Sequence, residues 1–135
     1  ATTLLMLPFA YPNFEDWYDF TIDLEDNILH DLLTESRGND VQDEVNSLPE
    51  ILLATFHPQF QWADLDAQDS LNFEKKAPFP TINLLRAQRV REWADTTKTH
   101  SIGSSNKQKL AHIGQDKLLH EFKSILELAL ADRAS

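Results

Sequence analysis

Two short apolar runs enclose one long amphipathic stretch in the first half of the chain. Thr2–Leu7 is a largely apolar run that a proline ends, and Ile51–Phe56 is a second run, ended by His57 and a proline. Short apolar runs with such ends are typical of buried strands. Over Phe14–Leu32, apolar side chains recur every three or four residues, which predicts an amphipathic helix of about twenty residues.

The order strand, helix, strand predicts a βαβ unit in which two neighbouring strands run parallel. A helix is expected to begin at Pro80 and to carry Trp93 on its inner face. Asn106–Ile113 and Gln115–Ala131 are expected to be helical, interrupted at Gly114, after a polar loop over residues 96–105. We therefore expect an α+β or small α/β domain in which a sheet of few strands is packed by helices.

Two segments lack a periodic pattern. Residues 34–49 are polar and acidic, and we expect them to form a surface excursion. Residues 58–80 are long for a loop inside a compact domain, and loops of that length usually serve a function.

Composition adds limits on class and compartment. The 135 residues suit a single domain, 1–135, and because the chain starts inside a strand we also expect a missing upstream segment. The absence of cysteine excludes disulfide scaffolds and cysteine nucleophiles and favours a reducing, cytoplasmic compartment. No apolar run reaches the ~20 residues of a membrane span, so no membrane partner is expected.

The charge is both negative and segregated. The formal net charge is −10, which argues against a nucleic-acid partner. Residues 1–50 carry −11, residues 51–71 carry −3 and residues 72–135 carry +4. Opposite charges in the two halves allow the halves to dock on each other, or allow a second copy of the chain to bind as a homo-oligomer.

The centre of the chain resembles a known bacterial family. The F-H-P run at Phe56–Pro58, the asparagine–aromatic pair at Asn72–Phe73, the P-F-P run at Pro78–Pro80 and Leu84–Arg86 follow one another at the spacing of that family. The family is the one catalogued as domain of unknown function 1415. The resemblance implies a soluble cytoplasmic bacterial protein, and it brings no established activity.

The chain departs from the family pattern at several polar positions. The family's N-R-S is Lys75-Lys76-Ala77 here, a histidine is replaced by Asn83, and an arginine is replaced by Ser105. An upstream L-C-P-F-A motif of the family is not in this chain. Activities that need those groups are therefore not implied for it.

His57 is the candidate catalytic residue. It ends the second predicted strand, and ligands gather at the carboxyl ends of strands in open α/β sheets. A histidine there can act as general acid, general base or metal ligand. The alternative is a structural histidine, whose ring nitrogen bonds a backbone carbonyl and holds the turn before Pro58.

Asn72, Lys75, Lys76 and Arg86 are the candidate ligand-binding residues. The basic side chains flank the start of the helix expected at Pro80, and a helix N-terminus favours an anion. A phosphate or carboxylate held there, with Asn72 orienting it, is one interpretation. The other is that the lysines pair with the acidic half and Arg86 packs its stem on an aromatic ring.

No metal or cofactor is expected. Asp64, Asp66 and Asp69 alternate like the ligands of a hard cation but lack the glycine and ligand order of a calcium loop, so caps of turns are the alternative.

The sequence leaves two functions open. One is the binding or processing of a small anionic ligand near the end of the second strand, and the other is a non-catalytic interaction module.

Overall fold

The computed structural model of the chain describes residues 2–28, 51–94 and 98–134. Within these ranges the strands are β1 (Thr3–Met6), β2 (Ile51–Phe56) and β3 (Thr81–Arg86). The helices are α1 (Phe14–Asp23), α2 (Ala87–Ala94), α3 (Lys98–Ile113) and α4 (Gln115–Ala134). A π-helical turn (Leu24–Ile28) follows α1, and a 3-10 helix (Ser70–Lys75) precedes β3. The predicted surface excursion at residues 34–49 lies outside the described residues.

The described strands form one sheet in the order β1-β3-β2. β3 is antiparallel to both neighbours, and its Thr81 lies opposite Met6 of β1 and Phe56 of β2. β1 and β2 therefore run parallel, as predicted, but the prediction that they are neighbours is wrong because β3 lies between them. The fold class is α+β, and the βαβ unit is split by the inserted strand.

The prediction of a helix beginning at Pro80 is wrong, since Thr81–Arg86 is β3 and the helix begins only at Ala87. Ile82, Leu85 and Arg89 are spaced as on one face of a helix, and the helix prediction rested on that spacing. β3 pairs along both edges, so its backbone groups are satisfied by two neighbouring strands. That pairing outweighs the weak helical preference of the segment.

α1 begins at Phe14, as the sequence predicts, but its α-helical part ends at Asp23 and is shorter than the predicted stretch of about twenty residues. The Asn13 side chain accepts a hydrogen bond of 2.8 Å from the Glu15 backbone N–H, which caps the helix. The helix turns π-helical at Leu24, and residues 29–32 of the predicted stretch lie outside the described residues. Its buried side chains are Trp17 and Thr21, and Trp17 belongs to the buried hydrophobic core together with Ile82 of β3 and Ala87.

The C-terminal helices meet at Gly114, where the sequence placed the interruption. Gly114 has a φ of 83°, a left-handed conformation that favours glycine, and its N–H binds the Leu110 carbonyl. α3 begins at Lys98, so the expectation of a polar loop as far as residue 105 is wrong. α3 and α4 both pack against the 3-10 helix.

β1 is far less buried than its apolar sequence predicts. All four residues are exposed, Leu4 to 59% and Met6 to 61%. Among the described elements, β3 alone makes extensive contact with β1. Both β1 and β2 are outer strands of the described sheet, but the equally apolar β2 is half-buried along its length.

Candidate functional site

A cavity of about 330 Å³ lies just beyond the end of β2. Four segments form its walls: the loop after β1, the residues that end β2, the segment before β3, and the last turns of α4. The lining residues are Pro8, Phe9, Ala10, Tyr11, Pro12, His57, Pro58, Pro78, Phe79, Pro80, Leu126, Ala129 and Leu130. Of the five candidate site residues, only His57 lines the cavity, and the lining is predominantly apolar.

The walls of the cavity are rich in proline. Five of the six prolines of the chain line it, and the sixth, Pro49, lies outside the described residues. Proline fixes φ and carries no N–H, so these segments lose little freedom when a ligand binds. A site with such walls is largely formed before its ligand arrives.

His57 is fully buried between the end of β2 and α1, with an exposed fraction of 0%. Its Nδ1 accepts a hydrogen bond of 3.1 Å from the Gln59 N–H, and its Nε2 lies 2.9 Å from the Tyr11 carbonyl oxygen. A ring that accepts at Nδ1 donates at Nε2, which is the neutral tautomer. Burial lowers the pKa of His57 below 6.5, although the bond to Tyr11 opposes this shift.

The hydrogen bonds of His57 thus match the structural alternative set out for this residue. Both ring nitrogens are bound to backbone atoms, and the ring lies 6.1 Å from that of Trp17 in a stacked arrangement. The backbone N–H of His57 also donates to the Lys75 carbonyl at 3.1 Å, which joins the end of β2 to the 3-10 helix.

Tyr11 holds an unusual backbone conformation on the cavity wall. Its φ is 53°, in the left-handed region that bulky residues seldom adopt. The conformation is held by the hydrogen bond from His57 to its carbonyl and by stacking of its ring on Phe20 at 4.5 Å. Such conformations cost on the order of 1–3 kcal/mol and cluster at ligand sites.

Asn72 is 1% exposed and binds backbone groups within the 58–80 segment. Its Oδ1 accepts from the Trp62 N–H at 3.0 Å, and its Nδ2 donates to the Asp66 carbonyl at 2.9 Å. These bonds fold the segment into a compact loop. Asn72 does not line the cavity.

Lys75 and Lys76 each place an ammonium over aromatic rings. The Lys75 Nζ lies 5.2 Å from the ring centre of Phe56, and the Lys76 Nζ lies 5.1 Å from that of Phe73 and 6.0 Å from that of Phe122. Desolvation by burial lowers the pKa of Lys76. No salt bridge between either lysine and a carboxylate occurs in the described part of the chain.

Arg86 lies at the other end of the sheet. It is opposite Ile51, the first residue of β2, whereas His57 follows the last residue of β2. Six residues of strand span roughly 17–20 Å. The structure therefore joins His57 to Lys75 through the backbone, places the two lysine ammoniums over different rings and leaves the exposed Arg86 apart.

The carboxylates of the 58–80 segment cap turns. The Asp66 side chain accepts from the Gln68 N–H, and the Asp69 side chain accepts from the Leu71 N–H at the start of the 3-10 helix. In the ranges that the structure describes, no three His, Asp or Glu side chains meet as metal ligands. No helix in the same ranges is both long and apolar enough to cross a membrane.

Sequence reasoning did not identify most of the cavity wall. The loop Pro8–Pro12 and the end of α4 come from opposite ends of the chain, and no local sequence pattern indicates that they lie together at the cavity. One signal was available: these prolines stand close to aromatic residues, as pairs at 8 and 12 and at 78 and 80 and singly at 58.

Residues 1–120 match a family model described as "Protein of unknown function (DUF1415)". Comparisons with curated proteins and with solved structures gave no match. The matched range contains three of the four cavity walls, and Leu126, Ala129 and Leu130 of the fourth wall follow it.

Proposed function

The chain belongs to the DUF1415 family of proteins of unknown function, and we propose that it binds a small organic anion whose apolar body occupies the cavity at the end of β2. The observation that carries the proposal is a preformed apolar cavity of about 330 Å³ whose walls are stiffened by proline. Small-molecule sites have volumes of roughly 300–1,000 Å³ and mostly apolar linings.

The acid group of the ligand is assigned to Lys76. Lys76 does not itself line the cavity, but it is two residues from Pro78 in sequence, and Phe122, over which its ammonium lies, is one helical turn from Leu126. Lys76 is half-buried, and no carboxylate pairs with its ammonium among the described residues. A partly desolvated cation of this kind binds a carboxylate or phosphate more strongly than an exposed one.

His57 has a positioning role in this proposal. Its two side-chain hydrogen bonds fix Tyr11 on one wall and the turn at Gln59, which directly follows Pro58 of another wall. Because both ring nitrogens are already bound to backbone, the proposal is for binding and includes no chemical step.

Phenylacetate and its neutral analogue phenylacetamide are the probes for a first test. Isothermal titration calorimetry should show that the anion binds about ten-fold or more tightly than the amide, as expected for a charged hydrogen bond. Lys76→Met should remove that preference while leaving the amide affinity unchanged. Lys75→Met is the matched control, because Lys75 lies over Phe56 and not beside α4.

A second pair of variants tests the cavity itself. Ala129→Trp should fill the cavity and abolish binding of both probes, whereas Ala131→Trp, on the exposed side of the same helix, should not. The proposal fails if neither probe binds at millimolar concentration. It also fails if Lys75→Met and Lys76→Met have equal effects, or if Ala129→Trp binds as well as the wild type.

A further inference from the structure

The two ring nitrogens of His57 have fixed and opposite hydrogen-bonding roles. The Gln59 N–H can only donate, so Nδ1 must accept, and the Tyr11 carbonyl can only accept, so Nε2 must donate. Neutral imidazole alone fills both roles. A second proton has to attach to Nδ1, where it faces the Gln59 nitrogen at 3.1 Å as one donor against another.

The surroundings of the ring on the α1 side are apolar. The rings of Phe14 and Trp17 lie 5.5 Å and 6.1 Å from that of His57, measured between ring centres. The acidic residues of the first turn of α1, Glu15 and Asp16, are exposed. A buried imidazolium next to aromatic rings is costly unless a charged partner compensates it.

The other elements around His57 contribute backbone oxygens. Tyr11 presents its carbonyl to the ring, and Lys75 presents its carbonyl to the backbone N–H of His57 while its ammonium lies over Phe56. Tyr11 and His57 are the titratable residues among those that line the cavity, and no other lining residue is ionisable. The described neighbours of His57 therefore favour its neutral form.

The bonds that a second proton disrupts hold two walls of the cavity. Tyr11 keeps a left-handed φ of 53°, and the bond from His57 to its carbonyl helps to hold that conformation. Gln59 follows Pro58 of another wall, and its Oε1 accepts a hydrogen bond of 3.2 Å from the Phe14 N–H at the start of α1. Movement of the His57 ring thus loosens both the loop after β1 and the turn after β2.

We propose that His57 is a pH switch, whose protonation releases Tyr11 and the turn at Gln59, opens the cavity and frees its ligand. This inference rests on the proposed function, because it concerns release from the same cavity. A ligand that binds only the form with neutral His57 has a constant affinity above the His57 pKa and loses about ten-fold for each pH unit below it. By linkage, a saturating ligand lowers the pKa of His57.

Phenylacetamide is the probe, because its charge does not change over the pH range used. NMR signals of the His57 ring, followed from about pH 8 to pH 5, should give a pKa below 6.5 in the free protein. The backbone amide signals of Tyr11 and Gln59 should shift with the same midpoint. Titrations with phenylacetamide should show the ten-fold loss of affinity per unit below that pKa, and a saturating concentration should move the midpoint to lower pH.

His57→Gln provides a variant that does not titrate. Its amide can donate and accept as the neutral ring does, so the affinity for phenylacetamide should be the same at about pH 7.5 and pH 5.5, even if it is weaker than that of the wild type. His120→Gln removes an exposed histidine and should keep the wild-type pH dependence. The wild-type measurements decide the question even where His57→Gln does not fold.

The switch is wrong if the wild type binds phenylacetamide with the same affinity above and below the His57 pKa, a result that leaves the proposed function intact. It is also wrong if the His57 pKa lies above 6.5, which shows that an acidic side chain stabilises the imidazolium, or if the Tyr11 and Gln59 signals do not follow the ring. Absence of phenylacetamide and phenylacetate binding at every pH refutes the proposed function, and the switch with it.

Discussion

His57 and Asn72 show how polar side chains hold the loops of this protein together. Both are almost completely buried, and each binds two backbone groups from segments that have no regular structure of their own. A buried polar group left without a partner costs about 1–3 kcal/mol. The two side chains therefore act as connections between loops.

The burial of His57 leads to a prediction about pH. Its pKa in the folded protein is lowered below 6.5, so the unfolded chain takes up a proton first as the pH falls. The stability that neutral His57 contributes is complete above about pH 6.5 and is lost as the pH falls through the folded pKa. Urea titrations at pH 8 and pH 5.5 should show a lower free energy of unfolding at pH 5.5.

Two histidine variants separate this effect from the titration of carboxylates. In His57→Gln the decrease between pH 8 and pH 5.5 should shrink, and the variant should be less stable than the wild type at pH 8 by about 1–3 kcal/mol. His120→Gln, at an exposed position, should keep the wild-type decrease. An unchanged pH dependence in His57→Gln would show that His57 is not the titrating group.

Asn72→Ala should destabilise the protein by about 1–3 kcal/mol, because it leaves the Trp62 N–H and the Asp66 carbonyl without their partner. Gln68→Ala, in the same segment but exposed, should change the free energy of unfolding by less than about 0.5 kcal/mol. Denaturant titration measures both. Equal small effects would mean that the loop does not depend on Asn72.

At the level of elements, local patterns predicted the ends of strands well and the pairing of strands poorly. β2 has the predicted limits, and the Asn13 cap and the Gly114 interruption are found where the sequence placed them. β3 was missed, since its residues repeat at a helical spacing and only its two neighbours decide its structure. That error also displaced the expected anion site, because no helix begins at Pro80.

Ile82 tests the role of β3 as the central strand. It is fully buried, so Ile82→Ala should reduce the free energy of unfolding by about 2–5 kcal/mol. Ile102→Ala removes the same atoms from an exposed position on α3 and should cost less than about 1 kcal/mol. A small effect at Ile82 in a urea titration would contradict a core centred on β3.

At the level of the whole molecule, the cavity and the charge distribution both depend on parts far apart in sequence. The loop after β1 and the end of α4 meet at the cavity although more than one hundred residues separate them, so no sequence window contains both walls. The position of His57 at a strand end was predictable, whereas its partner Tyr11 follows only from the fold.

The charges give the last prediction, which concerns salt. The ion pairs among the described residues, Arg89–Glu92 and Lys117–Glu121, each lie within one helix, so they do not join the acidic and basic halves. A net charge of −10 destabilises the compact state through self-repulsion, and salt screens that repulsion. Raising NaCl from about 20 mM to 300 mM should therefore increase the melting temperature, by several degrees if about 1 kcal/mol of repulsion is relieved.

Neutralising exposed acids on α1 should reproduce this effect without salt. The double variant Glu15→Gln and Asp19→Asn lowers the negative charge to −8 at exposed positions, so it should melt higher than the wild type at 20 mM NaCl and gain less from added salt. Glu121→Gln also removes one negative charge, but it breaks the ion pair with Lys117, so it should raise the melting temperature by less per charge removed. Calorimetric melting curves distinguish repulsion caused by the net negative charge from attraction between the acidic and basic halves. If salt lowers the melting temperature of the wild type instead, attraction between the acidic and basic halves outweighs repulsion, and the halves dock on each other through opposite charge.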